Sequence, residues 1–555
     1  PVESDRAAAA RRAVFADGLY FKMRPEAAER HSAQKVEELN LARAREEERE
    51  RELKEGSQWL AKVWAGELVE DPDCHERVVE ILRDMALFGS EAREYKWGLK
   101  LLEQAGLGAD PTKPFPLLVK MGEMSSHENL DIIRAEIPVY FSEEILAEAH
   151  RLAEARSWEN RQREDLTGLE IITADSGGAR DFDDAISLED LGDRLVLGVH
   201  IADVSSVVEP GTALDHEAMM RAISLYMPDR RIPMLPEILS EECLSLKAGE
   251  TRPAFSLLVQ LTESGEVLDY RFVHSLIRVK RQLSYQEVDA AVEQELYLGR
   301  LYRLSKTLGA RRVSRGAMLL PLPKLNVYLT PEGEIGISLT YWENPGRSMI
   351  SEFMILANHL AARFLTEKGA ACLYRTQDAP SQRIMTGPDD YRELFFCLQQ
   401  RRYLSRVSWS LEPQPHSGMG LDVYTNLTSP LRRYIDLLIQ RQVSSLVSDQ
   451  PSALTAARMT ELMARLDETL RRAAKVQMNR RRYWLLRYME ALPTKTFEAL
   501  VLERLPYRYR IFLPSLMLDA DLAVSKDKDL ESGQMITVRA KKIDAREDIL
   551  KFELV

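Results

Sequence analysis

Residues 171–189 read I-I-T-A-D-S-G-G-A-R-D-F-D-D-A-I-S-L-E, and no other stretch constrains the chain as strongly. Two short apolar runs flank a Gly-Gly turn, and four carboxylates crowd it: Asp175, Asp181, Asp183 and Asp184. Like charges a few ångströms apart raise one another's pKa, so a fold that keeps such a crowd offsets it with a cation. Oxygen-only ligands suit Mg²⁺, which binds a few carboxylates and leaves room for water and phosphate oxygens. A calcium loop fails, because an EF-hand needs Gly at loop position six and Glu at twelve. Counted from Asp175 those positions hold Arg180 and Ile186; counted from Asp181, Ile186 and Gly192. Spacing alone leaves two readings, a catalytic metal site and a solvated acidic turn. Adjacent Asp183 and Asp184 point apart in a regular strand, so both serve one site only if the turn is irregular.

T-A-D-S-G-G-A-R-D-F-D-D-A-I resembles the signature of the ribonuclease II/R (RNB) family of 3′→5′ exoribonucleases. Further matches follow in the family's order: G-V-H-I-A-D-V-S at 198–205, Y-M-P-D-R-R-I-P-M-L-P at 226–236 and L-S-L-K at 244–247. S-E-F-M-I-L-A-N comes next at 351–358, then Y-T-N-L-T-S-P-L-R-R-Y-I-D-L-L at 424–438. The resemblance spans roughly 165–490, and several long ordered matches are far more specific than one short motif.

At 555 residues the chain has room for three or four domains. A formal net charge of −12 argues against a generally basic, nucleic-acid-coating surface but leaves room for a local basic channel. The four cysteines, Cys74, Cys243, Cys372 and Cys397, show no C-x-x-C spacing, so neither a zinc site nor a disulfide framework is expected. No apolar run reaches membrane-span length. The Ala- and Arg-rich start has no apolar leader segment. A cytoplasmic, monomeric protein without an obligate protein partner or membrane contact is expected.

In order, residues 1–25 are Ala/Arg-rich with little pattern, and 26–58 carry the i,i+4 charge pairs of a long solvated helix. Within 66–108, Val78, Val79, Ile81, Leu82 and Met85 form one helical stripe, and Tyr95, Leu99 and Leu102 another. Ser90 is placed to cap the second helix. This predicts a helix-turn-helix or winged-helix module, where the best-known RNB relatives carry cold-shock domains. Residues 109–122 read as a Pro-rich turn or linker, and a helix is expected over 142–158, starting at Ser142. The body follows, with short strands first and helices over roughly 349–368, 388–405, 431–448 and 455–491. Beyond Pro493, short strands suit a small β-barrel, by resemblance an S1-type OB domain. There Tyr507 and Tyr509 would share one strand face opposite Arg508 and Arg510, as a single-strand binder needs. The expected fold class is multidomain α+β: an N-terminal arm and long helix (1–65), the helical module (66–164), an RNB catalytic domain (165–492) and an OB barrel (493–555).

The resemblance implies roles for individual residues. Asp175, Asp181 and Asp184 become metal ligands for Mg²⁺, in two ions with Mn²⁺ as a substitute, and Asp183 a catalytic carboxylate on the metal-bound water or second ion. Tyr226 would stack on the last nucleotide, with Tyr285 sandwiching the base stack farther from the metals. Glu352, at a helix start, would accept a hydrogen bond from the terminal ribose, one way to tell RNA from DNA. The family's arginine on the last long helix falls best on Arg480, with Arg481 and Arg482 open in register. Thr428, Ser429, Arg432 and Arg433 suit phosphate contacts. His200 reads equally well as a core residue. Together these imply a processive hydrolytic exoribonuclease that takes single-stranded RNA to 5′-nucleoside monophosphates. The alternative, from another class, is a non-catalytic RNA-binding regulator on the same scaffold.

Overall fold

The computed structural model describes residues 2–24, 28–156, 162–341, 343–385, 394–523 and 529–555. They form two compact units, 1–136 and 137–555.

The first unit is helical. The charged stretch forms the helix Ala33–Ala65, capped by Ser32, whose side chain accepts from the Lys35 amide, and closed by Gly66 at φ 80°. Its first two-thirds stay largely in solvent, while Trp59 and Leu60 enter a small core with Val78, Leu82, Leu101 and Leu117. Glycine sets how closely these helices approach: a Cβ on Gly98 would stand 2.1 Å from the Met85 sulfur. Three expectations change here. Residues 1–25 hold a helix, Val2–Ala16. Ser90 lies in a short 3₁₀ turn, Gly89–Glu91, and the second helix begins at Tyr95 behind Glu94 without a side-chain cap. The Pro-rich stretch contains the helix Pro114–Lys120, because proline at the first helical position sacrifices no hydrogen bond.

The second unit is built on a seven-stranded sheet. Its strand order is Arg281–Ser284, Ile171–Asp175, Asp184–Asp190, Leu195–Ala202, Thr251–Leu261, Val267–Arg278 and Glu164–Asp165. The inner pairs are antiparallel and the two outermost parallel. Ile171, Ile172, Ile186, Val199 and Phe255 pack from this sheet with Phe353 and Leu438 into one core. Phe353 and Leu438 come from the helices Pro345–Glu367 and Tyr434–Val447. The helix expected over 142–158, starting at Ser142, is Glu143–Ala155 with Ser142 as its cap; 157–158 lie outside the described residues. The helix expected over 388–405 is Leu394–Tyr403; 386–393 lie outside the described residues.

The last long helix, Ala456–Ala491, leads into a closed five-stranded barrel in the order Thr496–Leu505, Arg508–Leu513, Leu518–Leu522, Ile549–Leu554, Met535–Asp544. Its core also takes Trp484 and Met489 from the helix, and Leu325 and Val327 from the hairpin Lys324–Leu329/Ile335–Thr340. The expected tyrosine face is not there. Tyr507 precedes its strand and is 87% exposed, whereas Tyr509 is 5% exposed and belongs to the barrel core. The fold class is multidomain α+β, as expected. No helix among the described residues is long and apolar enough to cross a membrane, and all four cysteines are free.

Candidate active site

The sheet register builds the acidic end. Asp175 is the last residue of its strand and Asp184 the first of the next, with Asp183 just outside it in irregular backbone. The irregularity that adjacent Asp183 and Asp184 required is therefore present. L-S-L-K pins the turn: the buried Ser245 hydroxyl donates to the Arg180 carbonyl (2.8 Å) and accepts the Phe182 amide (3.0 Å). The Leu246 amide then takes the Phe182 carbonyl. Ser245 is a positioning residue to which the sequence motif assigned no role. His200 is wholly buried between Ser187 and Ser256, and burial pushes its pKa down to about 3. It is a neutral core residue.

The four carboxylates lie within electrostatic reach of one another. Burial, reinforced by Asp175, raises the Asp184 pKa to about 7. Burial also raises Asp175 and, strongly, Asp183. Three of the four have partners of their own. Asp183 accepts the Leu431 amide (2.8 Å) and the Arg432 Nε (3.2 Å). Asp181 accepts the Tyr226 hydroxyl and stands 3.6 Å from Arg231. Asp175 accepts the Ser176 amide at 2.6 Å. Among the described residues no three acidic, His or Cys side chains converge as one ligand group. Asp175 lies within electrostatic reach of both Asp181 and Asp184, and Asp181 is engaged by Tyr226 and Arg231. Their all-carboxylate chemistry and mutual repulsion nevertheless suit a hard divalent cation.

T-S-P-L-R-R-Y supplies the facing side. Thr428 accepts from Asn358, the Ser429 hydroxyl accepts from Arg432, and the Ser429 amide and Arg433 both donate to Asp436. Thr428 and Ser429 are 3% exposed, so in this arrangement they brace the loop rather than face a ligand. Burial alone would lower the Arg432 pKa, but Asp183 and Tyr226 outweigh it and the pKa rises. The Ser224 amide donates to the Arg432 carbonyl, tying this loop to the segment that carries Tyr226. The Tyr226 ring is 43% exposed, on the Asp181 side. Tyr285 stands near Asp175 and Asp184. Ser284 pairs with Asp175 across the parallel ladder and caps the helix Tyr285–Ala291. Burial, then Asp175 and Asp184, raise the Tyr285 pKa. A Cβ on Gly346 would stand 2.8 Å from the Tyr285 carbonyl, so glycine lets the helix Pro345–Glu367 start against this corner.

Two expected placements change. Arg480 is 4% exposed and held by Asp229, one turn beyond Tyr226, while the Gln477 amide donates to the Tyr226 carbonyl. Arg480 therefore positions the Tyr226 hairpin. Successive helical residues point about 100° apart, so the next two arginines diverge. Arg482 reaches Asp548, whereas Arg481, without an acidic partner among the described residues, points toward Lys324. Lys324 has Arg347, Arg481 and Arg432 as its charged neighbours, and burial, then these cations, lower its pKa. Neither Lys324 nor Arg347 belonged to any motif, because isolated cations carry no sequence signal. Glu352 is the second change. It is the eighth residue of Pro345–Glu367, 6% exposed, with both carboxylate oxygens taken by Arg312. Its oxygens are committed to an ion pair, not presented to a ribose.

An RNB domain matches residues 163–449, and a double HTH domain residues 36–130. The RNB match covers more than half of the 555 residues: the chain belongs to the RNB family. It is 27% identical to an uncharacterised ribonuclease of Synechocystis sp., over 97% of this chain and 81% of that one. It is 29% identical to ribonuclease R of Chlamydia muridarum, over 78% and 69%. Among solved structures, the Dss1 exoribonuclease of Candida glabrata superposes with a TM-score of 0.77 at 20% identity, covering 91% of this chain and 70% of that one.

Proposed function

We propose that this protein is a hydrolytic 3′→5′ exoribonuclease acting on single-stranded RNA, processive, and releasing 5′-nucleoside monophosphates. One observation carries the reading. A surplus of carboxylates at the sheet end has Tyr226 at Asp181 and Tyr285 near Asp175 and Asp184, and beside it stand cations with no acidic partner among the described residues. Fold similarity alone does not decide activity; this juxtaposition is what phosphodiester hydrolysis requires.

Asp175, Asp181 and Asp184 would hold divalent metal, Mg²⁺ or Mn²⁺, with Asp183 beside them. Bound there, metal supplies charge neutralisation at the scissile phosphate and a water of lowered pKa; the family's two-ion chemistry is the expected form. The chain's own side chains do the rest. Tyr226 and Tyr285 present aromatic faces beside the carboxylates, and stacking is worth about 1–3 kcal/mol per base whatever the sequence. Arg481, Lys324 and Arg347 hold backbone phosphate, with Arg481 nearest in role to the family's helix arginine. Arg432 fixes Asp183 and offers its remaining N–H groups to phosphate. Arg480 and Gln477 keep Tyr226 in place.

The test is a time course on 5′-labelled RNA with and without a blocked 3′ end, in Mg²⁺ and in chelator. A one-nucleotide ladder from the free 3′ end, abolished by chelator and by Asp183→Asn, is expected. Binding without any shortening in Mg²⁺ or Mn²⁺ overturns the reading in favour of a non-catalytic RNA binder.

A further inference from the structure

The helix Pro345–Glu367 has Arg347 at the candidate active site, and its other end reaches a second, separate cavity. His359 and Arg363 lie 12 and 16 residues further on, roughly 18–24 Å along the axis at 1.5 Å per residue. They line a pocket of about 940 Å³ together with Arg315, Arg383, Met318, Leu421 and Asp422. That volume is in the range of small-molecule sites. None of these residues contacts Asp175, Asp181, Asp183 or Asp184 in any hydrogen bond or ion pair of the described residues.

The rim is built, not incidental. The loop carrying Leu421 and Asp422 is locked to the end of the helix Leu296–Ser314. Gly420 has φ +67°, and a Cβ there would meet the Arg312 carbonyl at 2.6 Å and the Ala317 amide at 2.8 Å. The Met318 amide donates to the Gly418 carbonyl. Arg315 follows that helix directly, so its position is fixed relative to the loop.

The polar groups are of two kinds. Arg315 and Arg383 have no acidic partner among the described residues, and Arg363 has only the exposed Glu367 at 3.1 Å. Three guanidiniums opening on one cavity suit a phosphate group, which they bind by planar paired donors. His359 supplies the second kind. It is 8% exposed, and its Nδ1–H donates to the Val423 carbonyl at 2.8 Å. Burial, partly offset by that carbonyl and Asp422, lowers its pKa, with Arg363 and Arg315 lowering it further. The ring is therefore neutral, and Nε2 is an acceptor with no donor among the described residues. Asp422, 3.7 Å from Nδ1 and mostly exposed, adds a second acceptor. Acceptors beside cations select a ligand that carries hydroxyl or amino donors next to its phosphate. Met318 and Leu421 give apolar wall for a planar base. We infer that this cavity is a nucleoside-phosphate site, distinct from the hydrolytic one.

The test is equilibrium dialysis of radiolabelled adenosine 5′-monophosphate on the full chain in chelator, with inorganic phosphate as a parallel competitor. Two classes of site are expected in the unaltered protein. Arg315→Ala/Arg363→Ala should weaken one class at least tenfold; both residues are exposed, so melting temperature should hold, and turnover of long RNA should change less than twofold. Arg383→Ala should weaken the same class. Arg465→Ala/Arg471→Ala, on exposed turns of the last long helix, should leave both classes intact. Displacement of the label from this class by a 5′-phosphorylated RNA assigns the nucleotide to an RNA end, and failure to displace assigns it to free nucleotide; either supports the site. One or two classes unmoved by Arg315→Ala/Arg363→Ala, or inorganic phosphate competing as well as the nucleotide, would each overturn the inference.

Discussion

Two buried carboxylate sites in the larger unit handle charge in opposite ways. At Glu352 one carboxylate meets one guanidinium, Arg312, and each satisfies the other. At the sheet end four carboxylates face Arg432 and Arg231, and burial, with their mutual repulsion added to it, raises the pKa values of Asp175, Asp183 and Asp184. A balanced pair costs little to keep and does no chemistry. An unbalanced group is expensive in a folded chain, and its persistence marks a place where a ligand supplies the missing charge.

The comparison breaks most sharply at Asp183. Asp183→Asn removes one charge from the surplus and keeps the shape. Turnover should fall by about 10³-fold or more, on the scale of losing a principal charge-stabilising group. RNA affinity should stay within about twofold, because the tyrosines and the cations Arg481, Lys324 and Arg347 are untouched, and the melting temperature should hold, because asparagine still accepts from the Leu431 amide. Single-turnover rates and filter binding measure the two together; near-normal turnover would remove Asp183 from the chemistry.

At the balanced site the same kind of change should act on stability. Glu352→Ala leaves Arg312 buried without its partner, a loss of about 3–5 kcal/mol by analogy with other broken buried pairs. Denaturant titration would show it. Discrimination between a ribose and a 2′-deoxyribose 3′ end, compared in the surviving folded fraction, should be unchanged. Altered discrimination at unaltered stability would return Glu352 to the ribose.

How much of this was legible follows the same division. The D-S-G-G-A-R-D-F-D-D run shows its surplus in one dimension, because all four carboxylates sit within ten residues. The sheet then only has to close the turn. The double helical module was also readable, since Val78, Leu82 and Met85 repeat at helical spacing. What sequence could not show was pairing across distance. Glu352 meets Arg312 forty residues away, and Arg480 meets Asp229 across 251. Nothing local marks which of three adjacent arginines is spoken for. Tyr509 failed for a related reason: strand alternation places residues on two faces but does not say which face closes a barrel.

Substitution separates the arginines at 480–482. Arg481→Ala removes a cation that has no acidic partner among the described residues and should lower turnover about 10²-fold. It should also flatten the salt dependence of RNA binding by roughly one ion. Arg480→Ala should instead free Asp229 and loosen the Tyr226 hairpin, lowering stability and changing the end product with the salt slope intact. If Arg480→Ala flattens the salt slope and Arg481→Ala does not, the assignments exchange.

The smallest expected effect is at Tyr226, where the unbalanced site touches the aromatic face. The hydroxyl is tied to Asp181, and the ring is left accessible. These two functions separate by substitution. On a long RNA many phosphates hold the strand, so losing one ring hardly matters. As the strand shortens, phosphate contacts fall away while the stack remains, and stacking decides when the last fragment leaves. Tyr226→Ala should therefore degrade long RNA at close to the normal rate but release an end product longer by a few nucleotides. Tyr226→Phe keeps the ring and frees Asp181 from its hydroxyl partner. It should give the normal end product, with any change confined to the rate per step. Sequencing-gel end products of the three proteins decide between the roles. An unchanged fragment in Tyr226→Ala would leave the ring without a clamping role, and a lengthened fragment in Tyr226→Phe would move that role from the ring to the hydroxyl.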